Sequence, residues 1–181
     1  MSAPLPFLIR TAVVLWTTAS LALAGPPSAA DVNARQLTAA TIVSMLRLVS
    51  WRPPAAHPLT LTVVGDPALA DALRDASQGQ RVDGRPLVVL QAGSVTEVRE
   101  PWPTVVVLAA SQRQTASTAA RLLEPRGVLT IGEGDGMGQA GLVIGVYVAG
   151  DRIRFDANTG AASRAGLTLS SHLLRLARIV G

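Results

Sequence analysis

The chain has 181 residues, room for one domain rather than two, and its 16 Arg against 12 acidic side chains give a net charge of only +4 with both histidines neutral. It contains no Lys and no Cys, which excludes Schiff-base and Walker A lysine chemistry, disulfide staples and thiol catalysis. Scattered cations with one Tyr and two Phe offer nucleic acid neither a basic stripe nor a stacking platform.

Residues 1–24 read as a secretory signal. Arg10 supplies the positive n-region, residues 11–21 the apolar stretch, and Ala22-Leu23-Ala24 a small-x-small site before Gly25. The apolar run is shorter than the roughly 20 residues that span a bilayer, so cleavage and export are expected, with Ala30 as a second cut site. Cleavage leaves 15 Arg against 12 acidic residues, a net of +3. Residues 25–30 form a Pro/Ser/Ala tether, and residues 31–181 are expected to fold as a single α/β domain.

Over residues 31–50, Val32, Leu37, Ile42, Met45, Leu46 and Val49 recur near helical spacing until Arg52-Pro53-Pro54 ends the element. The period then changes. Residues 59–64, 86–90, 104–108 and 128–131 are short Val-rich runs, the pattern of strands buried on both faces. Helix-compatible segments at residues 67–77 and 112–123 lie between them, and residues 98–103, with two prolines around Trp102, read as a loop. Strands alternating with helices predict a three-layer α/β/α sandwich around a mostly parallel sheet. Residues 142–157 add an antiparallel hairpin: Leu142, Ile144, Val146 and Val148 alternate on one face, Gly150-Asp151 turns, and Ile153, Phe155 and Ala157 return. Asn158 suits a helix N-cap and Gly166 the left-handed residue that stops the helix. A last helix capped by Ser170 carries an apolar stripe of Leu173, Leu174, Leu176, Ala177 and Val180, with Arg175 and Arg178 on its flank near the C-terminus.

The polar motifs each admit two readings. Gly136-Met137-Gly138-Gln139-Ala140-Gly141 matches the dinucleotide fingerprint in letters, but that fingerprint needs a helix after it and a strand follows here; a mobile loop between strands is expected instead. Asp66 stands at the carboxyl end of the first long strand, where open α/β sheets place ligand groups. Followed by Pro67, it equally suits the N-cap of the next helix. His57 and His172 lack metal-ligand spacing, so no metal and no cofactor is expected. Arg152, Arg154, Arg164, His172 and Arg175 would supply a cationic surface for an anionic ligand or an acidic partner, beside the plain reading of the last helix as core packing.

The segments Arg154-Phe155-Asp156-Ala157-Asn158, Ala165-Gly166-Leu167 and Ser170 to Ala177 resemble the C-terminal signature of the YfiR/HmsC family of bacterial periplasmic proteins. Trp51 closing a first helix, Val64-Gly65-Asp66 and Val128-Leu129-Thr130-Ile131 extend the likeness across most of the chain. The chain departs from the family's pattern in lacking Cys near residues 61–64 and 102–105, so no redox-dependent behaviour is carried over. The resemblance implies a soluble inhibitor, not an enzyme. It would bind the periplasmic sensor region of an inner-membrane diguanylate cyclase and lower cyclic-di-GMP output and biofilm formation, until an outer-membrane lipoprotein or a stress signal captures it. It also implies a homodimer, with Trp51 and Trp102 as candidate contacts if they are not packed in the core or a loop. The competing expectation is a periplasmic small-ligand receptor feeding a membrane sensor kinase, its pocket at the strand carboxyl ends.

Overall fold

The computed structural model describes residues 29–52, 58–150 and 152–181. The signal sequence expected over residues 1–24, residues 25–28 of the tether, His57 and the turn residue Asp151 lie outside them. Ten strands and five α-helices are described: α1 (Ala29–Leu46), β1 (Val49–Trp51), β2 (Leu59–Val64), α2 (Pro67–Ser77), β3 (Arg81–Val82), β4 (Arg85–Ala92), β5 (Val105–Leu108), α3 (Ala116–Leu123), β6 (Leu129–Glu133), β7 (Ile144–Ala149), β8 (Arg152–Asn158), α4 (Thr159–Arg164), β9 (Leu167–Leu169), α5 (Ser171–Leu176) and β10 (Arg178–Val180). Eight strands form one sheet in the order β10-β8-β7-β6-β5-β2-β4-β3. From β4 to β7 neighbouring strands are parallel; β8 returns antiparallel to β7, and β3 is antiparallel to β4. The mostly parallel sheet and the C-terminal hairpin are as expected.

Side-chain alternation along the strands divides the interior in two. Leu59, Leu61 and Val63 of β2, Val105 and Val107 of β5 and Leu129 and Ile131 of β6 pack with Ile42, Leu46, Leu69 and Leu73 of α1 and α2, and with Ala161, Ala162 and Leu173 of α4 and α5. On the other face Val64, Val106 and Leu108 pack against Ala116, Ala119, Ala120 and Leu123 of α3. That second layer has one α-helix, completed by two loops. Strand threonines fasten both loops to the sheet, half-buried Thr60 Oγ1 accepting from Thr104 N at 3.1 Å and buried Thr130 Oγ1 from Val143 N at 3.0 Å.

The connection from β6 to β7 is the more unusual of those loops. Parallel neighbours are generally joined through a helix, whereas residues 134–143 make this crossover without one. Gly132 and Gly145 stand side by side in the register and leave a trough for the loop: a Cβ on Gly132 would come within 2.7 Å of Met137 Cβ, and one on Gly145 within 2.9 Å of Gly138 N. Met137 fills the trough and is buried. The glycine-rich segment is thus a loop, as expected, but one packed against the sheet.

Four other expectations change. The first helix ends at Leu46 rather than residue 50, because β1 follows and pairs with β9, Val49 opposite Leu169 and Trp51 opposite Leu167. The helix expected over residues 112–123 begins as a 3-10 turn, Ala110–Thr115, before α3. The last helix stops at Leu176, and Arg178–Val180 becomes a strand parallel to β8; Val180 therefore leaves the helical stripe and Arg178 its flank, and Leu176 is 60% exposed. Finally, β4 is not buried on both faces. Val88 and Leu90 are exposed, since α2 covers only one side of this strand and β3 reaches no further along its edge than Pro86.

Candidate functional site

The parallel strands bring their carboxyl ends to one rim of the sheet. The chain passes from β2 through α2 to β4 on one side, while β5 lies on the other side of β2. Chain direction across the sheet therefore reverses between β2 and β5, and a crevice opens at such a switch point. Here it is a cleft of about 490 Å³, within the several hundred Å³ usual for small-molecule sites.

Local structure fixes each polar wall. Asp66 caps α2: its Oδ1 accepts from Ala68 N at 2.8 Å and Leu69 N at 3.2 Å, with Pro67 opening the helix, and its Oδ2 faces Arg35 Nε of α1 at 3.4 Å. Both readings of Asp66 meet in one residue, for it caps the helix and also lines the cleft. Beside it Gly65 adopts φ +88°, and a Cβ there would lie 2.6 Å from Gln112 Cγ. Ser111 donates its hydroxyl to Gly65 O at 3.1 Å. Glu133, the last residue of β6, accepts from Ala110 N at 3.3 Å through Oε2. The hairpin supplies the apolar wall, with Val148 opposite Ile153; Val148, expected on one face with Ile144 and Val146, is 63% exposed at the hairpin's end. Asp66 was legible in the sequence; Arg35, Ser111 and Glu133 were missed. Asking what ends every parallel strand, not only the first, would have found Glu133.

The cations singled out in the sequence do not line this cleft. Ile153 and Phe155 of β8 pack on the face of the sheet that carries α1, α2, α4 and α5, so Arg152 and Arg154 project from the opposite face, with Arg154 level with Tyr147 and Arg152 with Ala149. Arg164 ends α4 and binds Glu124, Nε to Oε1 at 2.8 Å; that hydrogen bond and charge raise its guanidinium pKa further above its ordinary value. His172 Nδ1 lies 3.5 Å from Arg175 Nη2 on the exposed side of α5. The structure thus divides the five residues into Arg152 with Arg154 on one face and the α4–α5 group on the other.

The terminal motif residues serve the scaffold. Asp156 is fully buried, and its carboxylate takes Arg178 Nε at 2.7 Å and Nη2 at 3.0 Å, tying β10 to β8. Arg178 also reaches Asp135 at 2.6 Å and sits 5.1 Å from the centre of the Tyr147 ring. The hydrogen bonds to Asp156 and then Asp135 hold its pKa above the ordinary arginine value. Asn158 caps α4 through Ala161 N at 2.8 Å and donates from Nδ2 to Gly138 O at 3.0 Å. Gly166 is left-handed at φ +68° and Ser170 caps α5, as expected. Trp51 is buried in the core, and Trp102 lies under Arg126 at 4.2 Å with Nε1 on Glu100 at 3.0 Å.

Fold and rim define an open α/β domain with a small-molecule-sized cleft at its switch point. The family is given by sequence: the profile described as YfiR/HmsC-like matches residues 35–178, and the chain belongs to that family, one of periplasmic regulatory proteins. No curated protein matches the chain. Among solved structures, a conserved domain protein from Vibrio cholerae O1 biovar El Tor is similar with a TM-score of 0.56 at 13% identity, covering 81% of this chain and 60% of that one. The ABC domain in complex with L-Trp from Streptococcus pneumoniae is similar with a TM-score of 0.56 at 10% identity, covering 79% and 60%. The chain therefore spans about 60% of the length of each, and at these identities the likeness is one of fold. No helix among the described residues is long and apolar enough to cross a membrane.

Proposed function

We propose that the protein is exported and binds the periplasmic sensor region of an inner-membrane diguanylate cyclase, repressing it and so lowering cyclic-di-GMP signalling and biofilm formation. The family match over residues 35–178 carries this reading. The proposed function is adhesion rather than bond-breaking, and the terminal motif suits that, because Asp156, Asn158, Gly166 and Ser170 are spent on holding the scaffold. The cations divided between the two faces then supply two contact surfaces: Arg152 and Arg154 on the hairpin, and Arg164, His172 and Arg175 on α4 and α5. One serves the cyclase and the other the capturing partner, an outer-membrane lipoprotein, or a second copy of the chain in a homodimer. Long exposed cations act mainly on encounter and specificity with an acidic surface.

Cross-linking the tagged, exported chain in cells and identifying inner-membrane proteins retained with it tests the reading. Recovery of a cyclase is expected, with several-fold less captured by Arg152→Ala/Arg154→Ala or by Arg164→Ala/Arg175→Ala. Recovery of no cyclase, with the tagged chain abundant in the periplasm, contradicts it.

The cleft favours a second reading, a small-ligand receptor feeding a membrane sensor kinase. Its support is the coincidence of a cavity, a switch point and fixed polar groups at one rim. A histidine kinase in place of a cyclase among the cross-linked proteins would favour it.

A further inference from the structure

The lining of the cleft sets one cation, Arg35, against two carboxylates, Asp66 and Glu133. Asp66 has both oxygens engaged, one by the α2 backbone and one by Arg35 Nε, so the two charges offset each other while the Arg35 Nη groups keep their donors. Ser111 gives its proton to Gly65 O, which leaves the hydroxyl able only to accept. Glu133 is held through Oε2 by Ala110 N, and its Oε1 has no donor among the described residues. The Nη donors of Arg35 and the free acceptors of Ser111 and Glu133 therefore face the cavity, its excess negative charge lies on Glu133, and its opposite wall is Val148 beside Ile153. A carboxylate at the rim of a cavity interacts more strongly with a cation than one in bulk water does, and an exposed Val148 gains by being covered.

We infer that the cleft binds a small organic monocation, a protonated amine carried on an apolar body, with the ammonium on Glu133 and Ser111 and the apolar part on Val148 and Ile153. This deepens the receptor reading and rests on it. Ammonium supplies donors alone, matching the free acceptors of Glu133 and Ser111, whereas a carboxylate ligand would meet Glu133 with like charge.

Thermal unfolding of the full chain with n-butylamine, n-butanol and butyrate provides the test, since a ligand that binds only the folded state raises the midpoint with its concentration. Butylamine at millimolar concentrations is expected to raise the midpoint, with butanol and butyrate at equal ionic strength doing little. Glu133→Gln keeps an acceptor for Ala110 N, so its unliganded midpoint should match the wild type while the butylamine response falls at least several-fold. Val148→Ser, at an exposed position, should weaken the response in the same way. An undiminished response in Glu133→Gln overturns the inference. Stabilisation by butyrate instead also overturns it but leaves a receptor cleft standing, and silence from all three probes removes both.

Discussion

Asn158 shows how much of the C-terminal signature is local chemistry and how much is not. Its role as a cap is written in the residues that follow it, and the same holds for Asp66 before Pro67 and Ser170 before the last helix. Its second bond, from Nδ2 to Gly138 O, spans 20 residues, and no spacing rule announces it. The Asp156–Arg178 pair, 22 residues apart, was invisible for the same reason; a lone Asp in a strand reads as a surface residue until its partner strand is known. Asn158→Ala should lose both the cap and the tie to the glycine loop, costing about 1–2 kcal/mol of unfolding free energy. Urea denaturation followed by circular dichroism measures it. Arg164→Ala in the same assay should leave the midpoint nearly unchanged, because the pair it makes with Glu124 is exposed on the arginine side. The reverse ranking would mean that the signature residues are not holding the scaffold.

The elements with a strong period were legible in the sequence. Residues 59–64 and 67–77 have the expected bounds, since an apolar run ended by Gly-Asp-Pro contains both the strand and the helix start. Weaker signals were overruled by pairing. Residues 47–51 fit the helical stripe before them, yet β9 offers Val49 and Trp51 a strand partner and the chain takes it. Arg178, Ile179 and Val180 likewise fit a helix, but Asp156 and the open edge of β8 draw them into the sheet. Removing residues 178–181 should therefore leave Asp156 buried without its cation and the edge of β8 bare. Hydrogen–deuterium exchange is expected to speed up at residues 156–158 and in the loop around Gly138, with β2 and β5 unaffected. Protection unchanged at residues 156–158 would show that β10 contributes nothing to the edge.

For the whole molecule, strands alternating with helices already implied a layered parallel sheet, and net charge and composition implied little interest in nucleic acid. What remained hidden was the make-up of each layer. Loops carry part of the second face because Gly132 and Gly145 admit one and threonines on β2 and β6 bind both; those pairings exist only once the register is known. The place of the rim cleft was legible from Asp66 and the strand carboxyl ends, but its other polar walls were hidden likewise, for Arg35, Ser111 and Glu133 come from three further segments. Function rests on a further step, from a periplasmic regulatory family to one class of membrane partner. Intracellular cyclic-di-GMP tests that step most directly, measured in the encoding organism with the gene intact, deleted, and restored as the full chain or without residues 1–24. Deletion should raise the nucleotide several-fold, the full chain should return it to the starting level, and the chain without residues 1–24 should not. Levels that stay flat on deletion, or that fall again with the shortened chain, would contradict control of a cyclase from the periplasmic side.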